Sequence, residues 1–399
     1  AHCIDLVSPK HIIVDDALAD ALATARPLLS TTARVWWHGG EADPAERVDT
    51  ALADFSDARI ETADRPRLTL EDRCLFIYTS GTTGLPKAAN VNHYRVYGAM
   101  LAFSRFAAMT ADDRIYNCLP MYHTSGGILA IGSALVAGGS TFIRERFSAS
   151  RIWDDVVDHD CTRIQYIGEL CRYLVNAPPH PKERAHKVTL CCGNGLRPDI
   201  WERFRERFGI GHIREFYAAT EGNAILLNWD GTTGAVGRVP RWAMWMFPVI
   251  TVRFDLIEEH AERGPDGLCI ECQPDEVGEM VSRIVVDPRK PGQRFEGYAD
   301  RGETDRKVLH DVLARGDRWF RTGDLMRRDR RGYFYFVDRI GDTFRWKGEN
   351  VSTSEVAETI NVFPGVREAN AYGVAVQHHD GRAGMAVLVA EEDLDLDGL

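Results

Sequence analysis

The 399-residue sequence lacks the features that mark a nucleic-acid-binding or membrane-spanning chain. Its formal net charge is −11 and no basic tract offsets it, so nucleic acid is excluded as the main partner. The most apolar run, residues 126–139, is too short and too rich in glycine to cross a bilayer as a helix. Residues 1–10 have no apolar core, which predicts that no signal peptide is present. The composition, 44% apolar and 27% charged, is instead typical of a soluble globular protein.

The cysteines lack the spacing of a disulfide framework. There are nine of them, an odd number, scattered along a long chain. Cys269 and Cys272 have the spacing of a metal-ligand pair, but the sequence offers no second pair and no nearby histidine pair. We therefore predict reduced thiols in a cytoplasmic protein, with peripheral membrane association left open as an alternative.

One loop, residues 78–87 (Tyr-Thr-Ser-Gly-Thr-Thr-Gly-Leu-Pro-Lys), has the composition of a phosphate-binding turn. The apolar segment 75–78 that enters it is predicted to be a buried strand. Glycines let backbone N–H groups approach phosphate oxygens, hydroxyl groups donate further hydrogen bonds, and Lys87 adds positive charge. A Walker-type P-loop is excluded, because Pro86 precedes this lysine and Ala88 follows it. The alternative is a flexible surface turn, and the ordered run favours phosphate binding.

From residue 75 to about 216, predicted strands and helices alternate. The strands are predicted at 115–119, 141–143, 164–167, 188–191 and 213–216, with helices after 126, through 157, at 169–175 and from 198. Repeated βα units favour a mostly parallel sheet with helices on both faces, in which ligands bind at the carboxyl ends of the strands.

The second half of the sequence changes character. After about 235, Trp, Pro and Gly become dense, and short strands are predicted at 249–254, 268–271, 279–283 and 332–339. We predict an α/β protein with a large domain, residues 1–339, that includes a β-rich subdomain at about 235–339. A small α+β domain, 340–399, is predicted to follow it, and both chain ends are expected to lie inside a longer protein.

Three polar motifs follow predicted strands. Residues 217–222 (Tyr-Ala-Ala-Thr-Glu-Gly) offer a ring to stack on a base, a hydroxyl for phosphate and a carboxylate for Mg²⁺; the alternative is a carboxylate at a helix N-terminus. Residues 193–198 offer glycines that allow close approach to a flat ring, or form an ordinary strand–helix turn. His123, within 120–123 (Pro-Met-Tyr-His), positions an acyl substrate or is a half-buried turn histidine.

Two further motifs lie in the second half of the chain. In residues 319–324 (Trp-Phe-Arg-Thr-Gly-Asp), Asp324 can accept both hydroxyls of a ribose, or it is an ordinary turn aspartate. The last motif along the chain consists of residues 338–342 and 347–350 (Lys-Gly-Glu-Asn).

The loop 78–87 and the ordered motifs that follow it resemble those of the adenylate-forming superfamily, and 193–198 and 344–351 are most similar to its fatty acid transport protein or very-long-chain acyl-CoA synthetase branch. The resemblance implies that Glu221 and His123 are catalytic, that Glu221 and Ser80 hold Mg²⁺, and that CoA contacts Gly348. It implies ATP contacts from Thr79, Ser80, Gly81, Thr82, Thr83, Gly84, Lys87, Gly193, Asn194, Gly195, Tyr217, Thr220, Asp324 and Arg339.

The sequence departs from the family pattern near the predicted domain boundary. Asp338 stands where the family often has glycine, and Gly341 occupies the usual acidic hinge position, with Asp342 next to it. In the family a lysine near the C-terminus enters the site during adenylation, whereas Lys347 is the last lysine here. A protein ending at residue 399 is therefore expected to adenylate poorly, yet still to convert a supplied acyl-adenylate.

The activity that the resemblance implies is ATP-dependent activation of a carboxylic acid as an acyl-adenylate, followed by transfer to CoA. The substrate class is a long-chain, very-long-chain or steroid side-chain acid, and the small molecules required are ATP, Mg²⁺ and CoA. Three alternatives remain open: a fatty-acid uptake protein, an adenylation domain that loads a carrier protein, and a nucleotide-binding protein without turnover.

Overall fold

The computed structural model describes residues 1–40, 46–79, 85–256, 258–287, 293–346, 349–376, 382–391 and 394–395. The helices are α1 (His2–Val7), α2 (Ala19–Ala25), α3 (Val48–Leu52), α4 (His93–Phe106), α5 (Ile131–Ala137), α6 (Ile152–Asp158), α7 (Gly168–Asn176), α8 (Pro198–Phe208), α9 (Arg301–Arg306) and α10 (Thr353–Asn361). The strands are β1 (His11–Asp15), β2 (Arg34–His38), β3 (Arg73–Thr79), β4 (Lys87–Asn92), β5 (Arg114–Asn117), β6 (Ser140–Ile143), β7 (Arg163–Ile167), β8 (Leu190–Asn194), β9 (His212–Ala218), β10 (Ile225–Asn228), β11 (Val249–Val252), β12 (Phe254–Asp255), β13 (His260–Ala261), β14 (Val277–Arg283), β15 (Val308–His310), β16 (Arg318–Arg328), β17 (Phe334–Arg339), β18 (Phe344–Trp346), β19 (Glu349–Val351), β20 (Val366–Ala375) and β21 (Arg382–Ala390).

The chain forms two compact units, and the first contains residues 1–93 and 296–305. It holds a parallel pair, β1 with β2, and an antiparallel pair, β3 with β4. The strand predicted before the phosphate loop is present as β3, but the prediction that it is buried is wrong. Only Ile77 of β3 is buried, while Leu75 and Tyr78 are exposed, because β3 pairs with one neighbouring strand in a two-stranded sheet.

The second unit contains residues 94–295 and 306–399 and is built around a six-stranded sheet. Its strand order is β10-β9-β8-β7-β5-β6, in which β9, β8, β7, β5 and β6 run parallel and β10 is antiparallel at one edge. The predicted repetition of βα units therefore gives the predicted mostly parallel sheet.

Helices cover both faces of this sheet. Trp153 of α6 and Phe204 of α8 are buried in one core with Ile213 of β9. Three residues along β9, Phe216 points to the opposite face, since side chains alternate along a strand, and meets Phe103 of α4 edge to face.

The sequence of α8 explains why a helix forms there. Pro198 occupies its first turn, where no N–H partner is needed, and Gly209 ends it in a left-handed conformation with φ +68°. The side chains Ile200, Trp201 and Phe204 follow a helical period and are all buried.

The predicted β-rich subdomain is an antiparallel sheet with strand order β11-β14-β16-β15, and β17 also pairs with β16. The strand predicted at 268–271 is wrong. This segment makes only isolated bridges, at Cys269 and Glu271, because its backbone hydrogen bonds are divided among three segments, at Arg253, Glu262 and Val312.

The segment after Arg339 contains α10, the β18–β19 pair and the β20–β21 hairpin. Ser352 caps α10 by accepting a hydrogen bond from the Glu355 N–H. This segment belongs to the second unit, and the domain boundary at 339/340 stays a prediction. Within the described ranges, no helix has both the length and the apolarity needed to cross a membrane.

Candidate functional site

The carboxyl ends of β5, β8 and β9 lie at one edge of the parallel sheet, because these strands share one direction. Three predicted motifs follow these ends: residues 120–123 after β5, 193–198 at the end of β8, and 217–222 at the end of β9. The structure therefore brings to one edge the motifs that the sequence separates by about 100 residues.

The loop that carries Glu221 is held from both sides by one arginine. Arg95 Nη2 donates to the carbonyl oxygen of Thr220 at 2.7 Å and to that of Gly222 at 2.6 Å. Both carbonyl groups flank Glu221, so this guanidinium fixes the backbone from which the Glu221 side chain projects. Arg95 was not predicted from the sequence, where nothing distinguishes it from the other arginines of the chain.

Gly222 makes a close packing contact that gives a stability prediction. An alanine Cβ at this position would lie 2.3 Å from the Phe320 ring, which is fully buried. We expect Gly222→Ala to lower the free energy of unfolding by about 1–3 kcal/mol through overpacking. The matched change Gly98→Ala, in α4 with no neighbouring atom within 4 Å of the new Cβ, should be neutral or stabilising. Urea unfolding of both variants checks the pair, and equal effects would contradict it.

The His123 loop is fixed by a buried asparagine and a π-helical turn. Asn117, at the end of β5, donates to the Gly126 carbonyl oxygen at 3.1 Å and accepts from the Leu119 N–H. The π-helical turn Thr124–Ala130 follows, and such turns are frequent at functional sites. The Thr124 hydroxyl lies 3.3 Å from that of Thr220, so the His123 and Glu221 motifs adjoin.

His123 itself has a defined protonation preference. Its Nδ1 accepts a hydrogen bond from the Ser125 N–H at 3.3 Å, so the neutral ring carries its proton on Nε2. Partial burial lowers the pKa of His123, which favours the neutral ring near pH 7. The ring can therefore donate a hydrogen bond from Nε2.

Asp324 lies in a strand rather than in the turn that the sequence left open. It belongs to β16, opposite Arg339 of β17, and the Arg339 Nε lies 3.7 Å from its carboxylate. The Tyr217 hydroxyl donates to the other carboxylate oxygen. Burial raises the pKa of Asp324, and the Tyr217 hydrogen bond and Arg339 charge oppose that rise. Three predicted site residues from three strands thus meet in one cluster.

The backbone around Asp324 is positioned by buried polar contacts that the sequence analysis missed. Glu279 of β14 is fully buried, forms an ion pair with Arg321 at 2.8 Å and accepts from the Gly323 N–H at 3.3 Å. The Thr322 hydroxyl donates to the Met280 carbonyl oxygen at 2.6 Å. The available signal was a carboxylate next to Met280 and Val281 in a predicted strand, since a buried charge requires a partner.

The turn at the end of β8 allows close approach and contains a buried acceptor without a partner. A Cβ at Gly193 would lie 2.3 Å from the Tyr166 carbonyl oxygen, and Gly195 has φ +79°, so both positions require glycine. The Asn194 side-chain oxygen is buried and has no hydrogen-bond partner among the residues that the structure describes. A ligand that donates a hydrogen bond at this turn would satisfy it.

Asp338, the departure from the family pattern, has a structural role. It is 2% exposed and accepts from the Thr353 N–H at 2.7 Å, next to the first turn of α10. The Thr353 hydroxyl also lies 3.1 Å from this carboxylate. A carboxylate at the N-terminus of a helix is favourable, which explains an aspartate where the family often has glycine.

The predicted residues of the first unit are only partly described. Thr79 ends β3 and Lys87 begins β4. The Lys87 ammonium lies 2.5 Å from the Glu303 carboxylate and 5.9 Å from the centre of the Tyr298 ring. Ser80, Gly81, Thr82, Thr83, Gly84, Lys347 and Gly348 lie outside the described residues.

We compared the sequence and the fold of this chain with those of known proteins. The mouse (Mus musculus) long-chain fatty acid transport protein 1 is 42% identical over 392 residues, which are 97% of this chain and 60% of that protein. This chain therefore spans about three fifths of the relative's length. The ATP-bound structure of MatB from Rhodopseudomonas palustris, 25% identical, superposes with a TM-score of 0.75 over 99% of this chain and 72% of that one.

A more distant enzyme has the same fold. A benzoate CoA ligase from Burkholderia xenovorans LB400, 18% identical, superposes with a TM-score of 0.74 over 98% of this chain and 71% of that one. The predicted α/β class is therefore confirmed, as is the predicted resemblance. A family model described as AMP-binding enzyme matches residues 1–283, and the chain belongs to that family.

Proposed function

We propose that this chain belongs to an AMP-forming acid–thiol ligase that converts a long-chain or very-long-chain fatty acid to its CoA thioester. In the first half-reaction a carboxylate oxygen attacks the α-phosphorus of ATP, and pyrophosphate leaves. In the second, the CoA sulfur attacks the acyl carbon, AMP leaves, and the thiol proton passes to solvent. The observation that carries the proposal is the Tyr217–Asp324–Arg339 cluster, in the unit that also holds the Glu221 and His123 motifs.

The nucleoside of ATP fits the cluster and the neighbouring turn. The Asp324 carboxylate can accept the two ribose hydroxyls, and Arg339 offsets its charge. The Tyr217 ring can stack on the base, and the buried Asn194 oxygen offers an acceptor for a donor on that base. These are the contacts that a nucleoside requires, whereas a free acid would use none of them.

The family resemblance assigns the triphosphate to two motifs, the Glu221 loop and the hydroxyl-rich loop 78–87. Glu221 is partly exposed after the end of β9, and its carboxylate is a hard oxygen ligand of the kind that Mg²⁺ prefers. The resemblance implies Ser80 as a further ligand. Bound there, Mg²⁺ would offset the negative charge on the phosphates. Thr220 and the residues Thr79 to Gly84 would donate to phosphate oxygens, and Lys87 would contribute charge if a phosphate displaced its partner Glu303.

The acid is assigned from the relatives and from the His123 loop. The mouse relative's name specifies long-chain fatty acids. Beside His123, Met121 is 50% exposed and Tyr122 is 83% exposed, and these apolar side chains suit a long alkyl chain. The neutral His123 ring can donate its Nε2 proton in a hydrogen bond to the substrate carboxylate. Gly348 is proposed to contact CoA.

Fatty-acid uptake is the second candidate, because the mouse relative is named a transport protein. A carrier would move the acid without consuming ATP, and a carrier-protein-loading domain would consume ATP but would not transfer the acyl group to CoA. We therefore distinguish the three by product: acyl-CoA for the ligase, unchanged acid for the carrier, and acylated carrier protein for the loading domain.

The experiment is a screen of the intact protein for pyrophosphate release and thioester formation. Acids from short fatty acids to very-long-chain and steroid side-chain acids would be supplied with ATP, Mg²⁺ and CoA. We expect pyrophosphate and acyl-CoA in equal amounts, with the highest kcat/KM for long or very long chains. Pyrophosphate without acyl-CoA would favour carrier-protein loading, and neither product with any acid would contradict the proposal.

We place the protein in the cytoplasm, in peripheral contact with a membrane that supplies the acid. All nine cysteines lie in the described part of the chain, where each is a free thiol and seven are buried, as suits a reducing compartment. Fractionation of cells with and without high salt tests the membrane contact.

A further inference from the structure

One buried carboxylate beside the candidate nucleotide site has no role in the proposed reaction. Glu215 of β9 is 2% exposed and lies two residues before Tyr217. One of its oxygens accepts from the Gly195 N–H at 2.9 Å. The other accepts from the Leu196 N–H at 3.1 Å and from the Tyr166 hydroxyl at 2.6 Å. A single side chain therefore binds two successive N–H groups of the turn that follows β8.

The geometry of that turn favours an anion at this position. Gly195 has φ +79°, and successive N–H groups around such a residue form a concavity that binds anions. The turn is also closely packed, since a Cβ at Gly168 would lie 1.6 Å from the Gly195 carbonyl oxygen. Glu215 thus fills the concavity from inside the fold, and it fixes the direction in which the neighbouring Asn194 presents its buried oxygen.

We propose that Glu215 is a positioning residue whose ionised carboxylate holds the turn 193–196 in the conformation that binds the nucleoside. The inference rests on the proposed function, because that function assigns this turn to the base of ATP. It adds a regulatory consequence, since protonation of Glu215 would remove an acceptor that the two N–H groups need and would weaken nucleoside binding.

The surroundings of Glu215 make this protonation accessible near neutral pH. The titratable groups that face it are Tyr166 from β7, Cys192 from β8 and Cys171 from α7, and none of these carries positive charge. Burial raises the pKa of Glu215 to about 7, against the hydrogen bonds from Tyr166, Leu196 and Gly195. Nucleoside affinity should therefore fall as the pH drops below about 7.

The effect of pH on folding should have the opposite sign. Because the pKa of Glu215 is higher in the folded than in the unfolded chain, its protonation stabilises the fold, and this contribution is lost as pH rises from the unfolded value toward about 7. As the pH falls from 8 to 6, the protonation of Glu215 should thus raise the free energy of unfolding slightly, while nucleoside binding becomes weaker. A residue with only a structural role would not change the free energy of unfolding and the affinity for the nucleoside in opposite directions.

The test measures adenosine binding to the intact protein between pH 6 and 8. Adenosine is used because it has no phosphate to titrate in this range. For the wild type we expect the dissociation constant to rise about tenfold from pH 8 to pH 6 as one buried acceptor is lost. Glu215→Gln should bind about tenfold more weakly at pH 8, with a flat profile, because its amide N–H₂ would face a loop N–H. Tyr166→Phe, which removes one donor to the carboxylate, should shift the midpoint to higher pH.

A second measurement separates this inference from the proposed function. The amide NMR signals of Gly195 and Leu196, in protein labelled at glycine and leucine, should titrate with a midpoint near pH 7 in the wild type and not in Glu215→Gln. A flat adenosine profile in the wild type, or a slope retained in Glu215→Gln, would overturn the inference. Amide signals that titrate as expected in a protein that binds no adenosine at pH 8 would overturn the proposed function and leave only the anchoring of the turn.

Discussion

Glu221→Gln is expected to lower the rate of acyl-adenylate formation by a hundredfold or more without unfolding the protein. The substitution keeps the size of the side chain and removes its negative charge, so the Mg²⁺ that we propose at the phosphates would lose a carboxylate ligand. Removing a single group that stabilises charge in a transition state typically costs on the order of 10²–10³ in kcat. The rate is measured by ATP–pyrophosphate exchange with the best acid from the screen.

The control for this prediction is Glu206→Gln, the same change on the exposed surface of α8. It should leave the exchange rate unchanged. The fold of Glu221→Gln should also be intact, because the Arg95 bonds that hold this loop go to backbone carbonyl groups at Thr220 and Gly222. A wild-type exchange rate in Glu221→Gln would show that Glu221 is not the metal ligand.

Asp324→Ala is expected to weaken ATP binding by about ten- to a hundredfold. The loss of one net hydrogen bond to a charged acceptor costs roughly 1.5–3 kcal/mol, which corresponds to this range. The alanine also leaves the Tyr217 hydroxyl and Arg339 without their buried partner. The dissociation constant is measured by calorimetry. Because burial raises the pKa of Asp324, the wild-type protein should lose ribose binding at a higher pH than an exposed aspartate would dictate.

Deoxynucleotides show whether this loss arises at the ribose. The wild type should bind 2′-deoxyATP more weakly than ATP, whereas Asp324→Ala should bind both equally, because the acceptor that distinguishes them is gone. Tyr217→Phe, which removes only the hydroxyl that donates to Asp324, should still discriminate. If Asp324→Ala kept the full preference for ATP, another residue would have to bind the ribose.

The sequence predicted the parallel sheet well for a physical reason. The strands β5, β7, β8 and β9 contain branched, aromatic or cysteine side chains between turn residues, and each lies within a few residues of its predicted position. The motifs after them were found because polar residues directly behind a buried strand are conspicuous in the sequence. The segment of α4 was missed, since its sequence, HYRVYGAMLAFSRF, mixes aromatic and branched side chains with a glycine, and these residue types favour a helix less than alanine or leucine does.

Contacts between distant segments could not be predicted in the same way. The pairing of Asp324 with Arg339 depends on the register of β16 with β17, and the sequence alone left open that Asp324 lies in a turn. Arg95 of α4 contacts the Glu221 loop only in the folded chain. Likewise, Glu215 of β9 contacts the turn after β8 only when these strands are paired. The hydrogen-bond partners of these charged groups are far away in sequence, so no local pattern identifies them.

The central claim, attack of a carboxylate on the α-phosphorus of ATP, has one direct measurement. The intact protein is supplied with a long-chain acid labelled with ¹⁸O in both carboxylate oxygens, together with ATP, Mg²⁺ and CoA, and the nucleotide products are analysed by mass spectrometry. Because one carboxylate oxygen becomes the bridge to phosphorus and stays with it when the CoA sulfur attacks the acyl carbon, the account predicts AMP that carries one ¹⁸O atom. Unlabelled AMP, or ¹⁸O in inorganic phosphate with ADP as the nucleotide product, would contradict it.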